Sequence, residues 1–416
     1  MAPAGNFECL QAAIQGGADS VYFGIGQLNM RSHSANNFAP EDLQEVCRIC
    51  RENGLRSYLT LNITLYDDDL PAMRGALQAA REAGVSAVIA SDIAAITEAR
   101  RLGLEVHIST QLSISNSEAL RYYSQFADVV VLARELRLEQ VCTIRDTIAR
   151  EGICGPSGRP VQIEMFCHGA LCMAISGKCY LSLHEYGASA NRGSCYQVCR
   201  HPYEVTDLQT GSQLLIDNQY IMSPKDLCTI EFLDKMADAG ATVFKIEGRA
   251  RSSEYVKTVT RAYREAADAV EAETFTPELG AALKAQLATV FNRGFWDGYY
   301  QGARLGEWST VYGNQATRTK VYLGRVTDYY ARLGVAEIQM ETGSFRIGDP
   351  LLITGPTTGV VEVAPSEIRL DDQHILEEAA KGDLCSIPVP EKVRRGDKVF
   401  LFRCNVRSSK SAAYAS

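Results

Sequence analysis

The chain lacks most of the features that would give it a quick functional class. No apolar run reaches the roughly 18 residues of a membrane span, and no basic stretch followed by an apolar core marks a secretory leader. A cytoplasmic protein without a membrane span is therefore expected. No His-Glu-x-x-His is present, which excludes that class of zinc peptidase, and no Gly-x-Ser-x-Gly marks a serine nucleophile. No Gly-x-Gly-x-x-Gly follows the first apolar strand, so nothing favours a dinucleotide-binding open sheet. The formal net charge of −8 denies the chain an overall basic surface, and with it indiscriminate nucleic-acid binding. A local basic groove stays open.

Cysteine is what the chain has in excess: thirteen in 416 residues. A secreted disulfide scaffold would be shorter and richer in loops, so metal or redox chemistry is the better reading. Five thiols, Cys172, Cys179, Cys195, Cys199 and Cys228, fall within 57 residues. Glycines nearby, as in Asn191-Arg-Gly-Ser-Cys195, let the backbone turn tightly enough to aim several sulfurs at one point. Irregular spacing suits an iron–sulfur cluster, which takes four thiolates. The repeated short pairs of zinc fingers are missing, though zinc remains the competing metal. Cys9, Cys47, Cys50, Cys142 and Cys404 sit in apolar or helical patterns and read as core packing.

From residue 6 to about 250 one unit recurs: an amphipathic helix, a Gly-containing turn and a short apolar strand. Seven strands read this way, among them Ser20-Val-Tyr-Phe-Gly24, Val106-His-Ile-Ser-Thr110 and Thr242-Val-Phe-Lys-Ile246, and Met1–Gly5 reads as the end of an eighth. Apolar strands flanked by helices mean a parallel sheet buried on both faces. Eight such units predict an α/β fold, a (β/α)8 TIM-like barrel spanning 1–250 with a metal-binding insertion at about 167–230. Residues 251–317 read as a helical extension, 318–404 as a small C-terminal antiparallel β-barrel, and 405–416 as a flexible tail.

In a parallel barrel the active site lies where strands end and helices begin. The polar residues at those ends are Asn62, Asp92, Gln111, Arg134, His168, Glu247 and Arg249. Asp92 reads as a helix cap. Glu247 and Arg249, with Lys245 on the same strand face, form a carboxylate–guanidinium set that either orients an anionic ligand or closes the barrel with a salt bridge. Arg31, His107, Gln111, Arg134 and Lys225 are further candidates for holding an anion, and His107 reads equally as a buried strand histidine. The adjacent pair Cys167-His168 points to opposite strand faces and forms no protease dyad unaided. Arg251, Lys257, Arg261 and Arg264, spaced along one predicted helix, are either a solvated face or a phosphate-binding patch.

Several segments together resemble a known family. They are Ala2-Pro-Ala-Gly-Asn6, Gly17-Ala-Asp-x-Val-Tyr-x-Gly24, Leu28-Asn-Met-Arg31, Ser109-Thr-Gln111 and Glu164–Ser182 with its Cys-x6-Cys. Ser223-Pro-Lys-Asp-Leu-Cys228, Lys245-Ile-Glu-Gly-Arg249 and Phe291-Asn-Arg-Gly-Phe295 complete the set. The chain resembles the peptidase U32 family, also called collagenase-like peptidases, over nearly its whole length. The resemblance implies oxygen-independent hydroxylation rather than proteolysis. A barrel followed by one β-barrel looks most like the branch that converts the wobble uridine of tRNA to 5-hydroxyuridine, with prephenate as the implied hydroxyl donor. Residues 318–404 also resemble the β-barrel that follows the G domain in translation factors. Other branches hydroxylate a 23S rRNA cytidine or the ubiquinone ring; a zinc-stabilised RNA-binding protein or a true peptidase are the rivals from other classes.

For the metal, Cys172, Cys179 and Cys195 match the family's ligand positions, which implies a [4Fe–4S] cluster. Cys228, as a long-range clip, is the slightly favoured fourth ligand and Cys199 the alternative. The implied partners are tRNA, a small anionic hydroxyl donor and an electron-transfer or accessory protein. In that role Glu247, Arg249, Lys245, His107 and Gln111 are the expected catalytic residues. Arg31, Asn62, Arg134 and Lys225 are the expected substrate-binding ones.

Overall fold

A computed structural model describes residues 1–32, 37–203, 205–206, 208–211, 213–214, 222–303, 306–309, 313–370 and 374–405. The expected tail thus lies almost wholly outside the described residues. The chain divides into two compact units. The first comprises Met1–Leu287 and Asn292–Asn314; the second takes Ala288–Phe291 and the described residues from Gln315 onward.

The first unit is built on a parallel sheet. Its strands are β1 (Ala2–Pro3), β2 (Ser20–Phe23), β3 (Arg56–Leu61), β4 (Ala87–Ala90), β5 (Val106–Ile108), β6 (Val129–Val131) and β7 (Gln162–Gly169). They pair in sequence order, each parallel to the last. After a short hairpin of β8 (Val205–Thr206) and β9 (Gln213–Leu214) come β10 (Asp226–Cys228) and β11 (Ala241–Ile246). β11 returns parallel to β7, and Ile246 N–H donates to the Met1 carbonyl at 3.1 Å. β10 runs antiparallel over the C-terminal end of β7, with Cys228 opposite His168, and carries β12 (Phe295–Trp296) beside it.

The sequence explains these elements locally. The strands are Val- and Ile-rich and buried almost throughout, as both faces of the sheet are covered. Helices start on side-chain caps: Asn6 accepts from Cys9 N–H and Asp92 from Ala94 N–H. The cap expected at Asp92 is therefore observed. The helices Leu70–Ala83 and Leu138–Glu151 end on Gly84 and Gly152 in the left-handed conformation, at φ 75° and 60°, which glycine adopts without cost. The long helix Ser253–Glu271 lies against the helix Phe7–Gln15. It does not present the four expected bases on one face. Arg251 precedes it, and Arg264 is paired with Asp19 at 2.8 Å and Asp268 at 2.9 Å.

The second unit is a separate antiparallel sheet. Its strand order is Gly359–Val363, Leu351–Gly355, Lys398–Cys404, Arg318–Tyr330, Val335–Met340, Leu384–Pro388, Ile368–Arg369 and Ile375–Leu376. Its core is an apolar cluster including Leu323, Val326, Ile338, Phe345, Ile353 and Val399.

Candidate functional site

The C-terminal ends of the parallel strands and the segment between β7 and β10 enclose a cavity of about 190 Å³. Alternation along the strands puts every second side chain inside the sheet, and the last inward residue of each strand reaches the cavity floor. Tyr22, Thr60, Ile89, Phe166 and Lys245 arrive this way; Arg31, Asn62, Gln111, Arg134, Glu247 and Arg249 come from the loops that follow. Seven of the nine expected catalytic and substrate-binding residues therefore line one space.

Glu247 is the anion of the cavity. Its Oε1 accepts from Arg31 Nη2 at 2.9 Å and Nε at 3.3 Å, and its Oε2 from the Tyr22 hydroxyl at 3.4 Å. Burial works against its charge, but Arg31, Arg134 and Arg249 override burial and hold the carboxyl down at about 2. Arg249 is buried and donates from Nη1 to Asn29 Oδ1 at 3.0 Å and Thr60 Oγ1 at 2.8 Å. Burial works against its charge and lowers its pKa, with Tyr22 and Glu247 opposing, yet a guanidinium keeps its proton in a protein. The approach requires a glycine at position 24, where a Cβ would fall 2.6 Å from Arg249 Nη1 and from the Asn29 side chain. Arg134 donates to the Ala170 carbonyl at 3.1 Å and lies 3.8 Å over the Phe166 ring, and its buried Nε has no hydrogen-bond partner. Asn62 donates to Ser109 at 3.3 Å and to Gln111 at 3.4 Å.

Four thiols line the same cavity: Cys172, Cys179, Cys195 and Cys199. Burial pushes the Cys199 thiol up to about 11; Arg200 beside it works the other way, and the neighbouring Cys172, Cys195 and Cys179 thiols add to the rise. The segment that carries them is fastened to the loop after β3. Arg192 stacks 4.0 Å over Tyr66, bonds Asp69 at 2.6 Å and donates to the Thr64 carbonyl at 2.9 Å. Among the described residues no three His, Cys, Asp or Glu side chains stand close enough to hold a single metal ion, so the four thiols border a space rather than a point.

Three expectations are corrected. Cys228 is not with the other thiols: it lies buried on β10, its Sγ 4.0 Å from the Tyr263 hydroxyl, and burial raises its pKa to about 12. Cys199 stands with the group instead. Lys225 does not reach the cavity; its Nζ is paired with Glu307 at 2.6 Å. His107 lies beneath the cavity floor between two carboxylates, in the buried-strand position. Three further arginines line the cavity: Arg251, which the sequence placed among the bases of one predicted helix, and Arg200 and Arg293, which it did not place in the cavity. Arg200 donates to the Leu171 carbonyl at 2.7 Å, and Arg293 faces Asp226 at 3.4 Å. Arg293 belongs to the Phe291-Asn-Arg-Gly-Phe295 motif, so its position is legible although its role is not.

Cys167 and His168 make no dyad. The Cys167 thiol faces the Lys245 carbonyl at 3.4 Å, while the His168 ring sits among Tyr255, Tyr263 and Phe295, and burial lowers its pKa to about 3.

The profile of peptidase family U32 matches residues 5–310. The chain belongs to that family. A protein of Porphyromonas gingivalis named as a collagenase is 60% identical over 402 residues, 97% of each chain. A tRNA hydroxylation protein of Bacillus subtilis is 32% identical over 364 residues, covering 86% of this chain and 83% of its own. An Escherichia coli 23S rRNA 5-hydroxycytidine synthase is 33% identical over 314 residues, 74% of this chain and 46% of its own length. No helix among the described residues is long and apolar enough to cross a membrane.

Proposed function

We propose that this U32 protein is an iron–sulfur hydroxylase of a tRNA nucleobase, converting the wobble uridine to 5-hydroxyuridine with a small anionic hydroxyl donor of the prephenate kind. The observation that carries the reading is a charge imbalance. Arg134, Arg200 and Arg249 face one cavity, and among the described residues none has a carboxylate at ion-pair distance. Arg249 is buried and Arg134 and Arg200 are half-buried, and Arg134 and Arg249 meet Glu247 only beyond ion-pair distance. Cations held out of water without a directly paired carboxylate are costly, and a bound dianion relieves that cost by paired hydrogen bonds to the guanidinium forks. Glu247 is already matched by Arg31, so the cavity's own carboxylate does not fill this role.

The thiol set fits a [4Fe–4S] cluster, with Cys172, Cys179, Cys195 and Cys199 as ligands and no nitrogen or carboxylate among them. When bound, such a group supplies one-electron transfer. The chain's own residues do the rest. Arg249 and Arg134 orient the donor's carboxylates, Asn62 and Gln111 bond its hydroxyls, and Lys245 holds a proton at Nζ beside it. Closure of the parallel sheet into a (β/α)8 barrel belongs to the same reading, supported by the hydrogen bonds from Ile246 to Met1 and from Met1 to the Phe244 carbonyl.

The name of the Porphyromonas relative favours a peptidase as the second reading, but among the described residues no histidine lines this cavity to serve its cysteines or serines as a base. Anaerobically purified protein is expected to contain iron and acid-labile sulfide, with most of both lost in Cys199→Ser and retained in Cys228→Ser. Bulk tRNA from a deletion strain is expected to lack 5-hydroxyuridine by mass spectrometry. Stoichiometric zinc without sulfide, or tRNA unchanged by the deletion, overturns the proposal.

A further inference from the structure

Below the cavity floor, the sheet interior holds charges that binding an anion does not call for. Lys245 Nζ is 2.6 Å from Oε1 of Glu164, which is wholly buried on β7. The other oxygen of Glu164 makes no hydrogen bond and lies 3.6 Å from Nδ1 of His107, itself buried and without a hydrogen-bond partner. The remaining ring nitrogen, Nε2, is 3.1 Å from Oε1 of Glu105. Glu105 precedes β5, at the end of the strands opposite the cavity, where its Oε2 accepts from Arg56 at 2.8 Å. Cation and anion thus alternate from the cavity to the far end: Lys245, Glu164, His107, Glu105, Arg56.

A carboxylate near each ring nitrogen favours the imidazolium, which bonds Glu105 through Nε2 and points its Nδ1 proton at Glu164 across 3.6 Å, just beyond hydrogen-bond length. Burial opposes that charge, yet Glu105 and Glu164 outweigh it and raise the pKa of His107 above its ordinary value. The other groups facing this set are few. The Tyr22 and Phe166 rings flank Lys245 at 4.8 and 5.3 Å, and the Tyr58 ring packs on His107 at 4.6 Å. The Met1 nitrogen also acts on Lys245 and Glu164, and Arg249 and Glu247 face the cavity above. Every other base lining the cavity is an arginine, and arginine does not give up its proton in a protein. Lys245 is the cation there that can donate one.

We propose that Glu164, His107 and Glu105 form a proton line that sets and restores the charge of Lys245 from below the cavity floor. When Lys245 gives a proton to a bound group, its neutral amine takes one from Glu164. Glu164 has received that proton on Oε2 from His107 Nδ1, and turns its carboxyl to present it to Nζ. The ring, now neutral, keeps the Nε2 proton facing Glu105 and is recharged at Nδ1 when the cavity next supplies a proton through Lys245 and Glu164. No electrons move, and the bound group receives one proton. In this scheme Lys245 is the group that touches the ligand; Glu164, His107 and Glu105 act through it. The inference concerns the charge of Lys245 alone and does not depend on which compound occupies the cavity.

The test reads Lys245 directly on the full chain. Brief acetic anhydride pulses across a pH series, followed by peptide mass spectrometry, give the pH at which its amine is half-labelled. Glu164→Gln is expected to lower that midpoint by about one pH unit or more, a tenfold weaker hold on the proton. His107→Gln and Glu105→Gln are both expected to raise it, because each removes the imidazolium that competes for Glu164. Glu105 is partly exposed and does not touch Lys245, so Glu105→Gln keeps the test alive should the His107 variant fail to fold. A histidine that merely fills space transmits nothing from Glu105 to Lys245. A midpoint in Glu105→Gln that is unchanged or lowered overturns the proposal.

Discussion

The inside of the parallel sheet and the inside of the antiparallel sheet solve different problems. The antiparallel core joins Leu323, Val326, Ile338, Phe345, Ile353, Val399 and their neighbours. Its buried carboxylate, Asp397, accepts from Arg394 N–H at 2.8 Å within a turn and from the distant Thr358 hydroxyl. The parallel sheet instead buries Glu164, His107, Lys245 and Arg249, residue types that rarely go inside unless paired. An apolar core gains stability with every methylene it hides. A core threaded with ion pairs gains little net stability, since desolvation offsets attraction. The difference marks where the molecule gives up stability for chemistry.

The largest effect expected from breaking this contrast is at Arg249. Arg249→Ala should reduce tRNA 5-hydroxyuridine in a complemented deletion strain by roughly 100-fold, the scale of losing one oriented donor to a developing or bound anion. Protein level and melting should hold near those of the parent. Normal 5-hydroxyuridine in that strain would refute the role of Arg249.

Stability should respond in the opposite pattern. Glu164→Gln leaves Lys245 charged and unpaired, at a cost of about 3–5 kcal/mol. Adding Lys245→Met removes the orphaned charge and should recover most of that loss. Ile338→Ala in the antiparallel core should cost about 2–5 kcal/mol with no partner substitution able to restore it. Denaturant unfolding followed by hydrogen exchange in each unit checks this; a double variant no better than Glu164→Gln alone contradicts the account.

The smallest expected effect is on pH dependence. Glu164 and Glu247 are held at about 2 in the fold, below the ordinary carboxylate range. Their contribution is present above the unfolded value of about 4.3 and is lost as pH falls from about 5 toward 2. His107, whose pKa is raised, contributes below its ordinary value and loses that contribution as pH rises through the folded value. Exchange protection of the parallel sheet should therefore decline from about pH 5 downward before that of the antiparallel core does. Equal decline in both would mean the buried ion pairs are not what limits the first unit.

The strands were legible because Val- and Ile-rich runs between helices admit little but a buried parallel sheet. Parallel order in turn puts strand ends on one side, which is why Asn62, Gln111, Arg134, Glu247 and Arg249 were found together. What remained hidden depends on contacts distant in sequence. Nothing near Lys225 announces Glu307, 82 residues away. Two cysteines at unexceptional spacing, Cys199 and Cys228, differ only because β10 crosses β7 and takes Cys228 into the core. For His107, the strand position was readable, but the carboxylate on the next strand but one, Glu164, was not.

The second unit borrows Ala288–Phe291 from a stretch of chain whose flanks belong to the first, and the Thr317 N–H closes onto the Ala288 carbonyl at 2.9 Å. The polypeptide thus passes from one unit to the other three times rather than once. No single cut yields two intact pieces: a truncation at residue 317 strips Ala288–Phe291 of the unit they belong to and leaves them attached to the first unit. On the ribosome the same threading imposes an order, because those four residues emerge early and must wait for the 23 residues Asn292–Asn314 before the rest of their own unit begins.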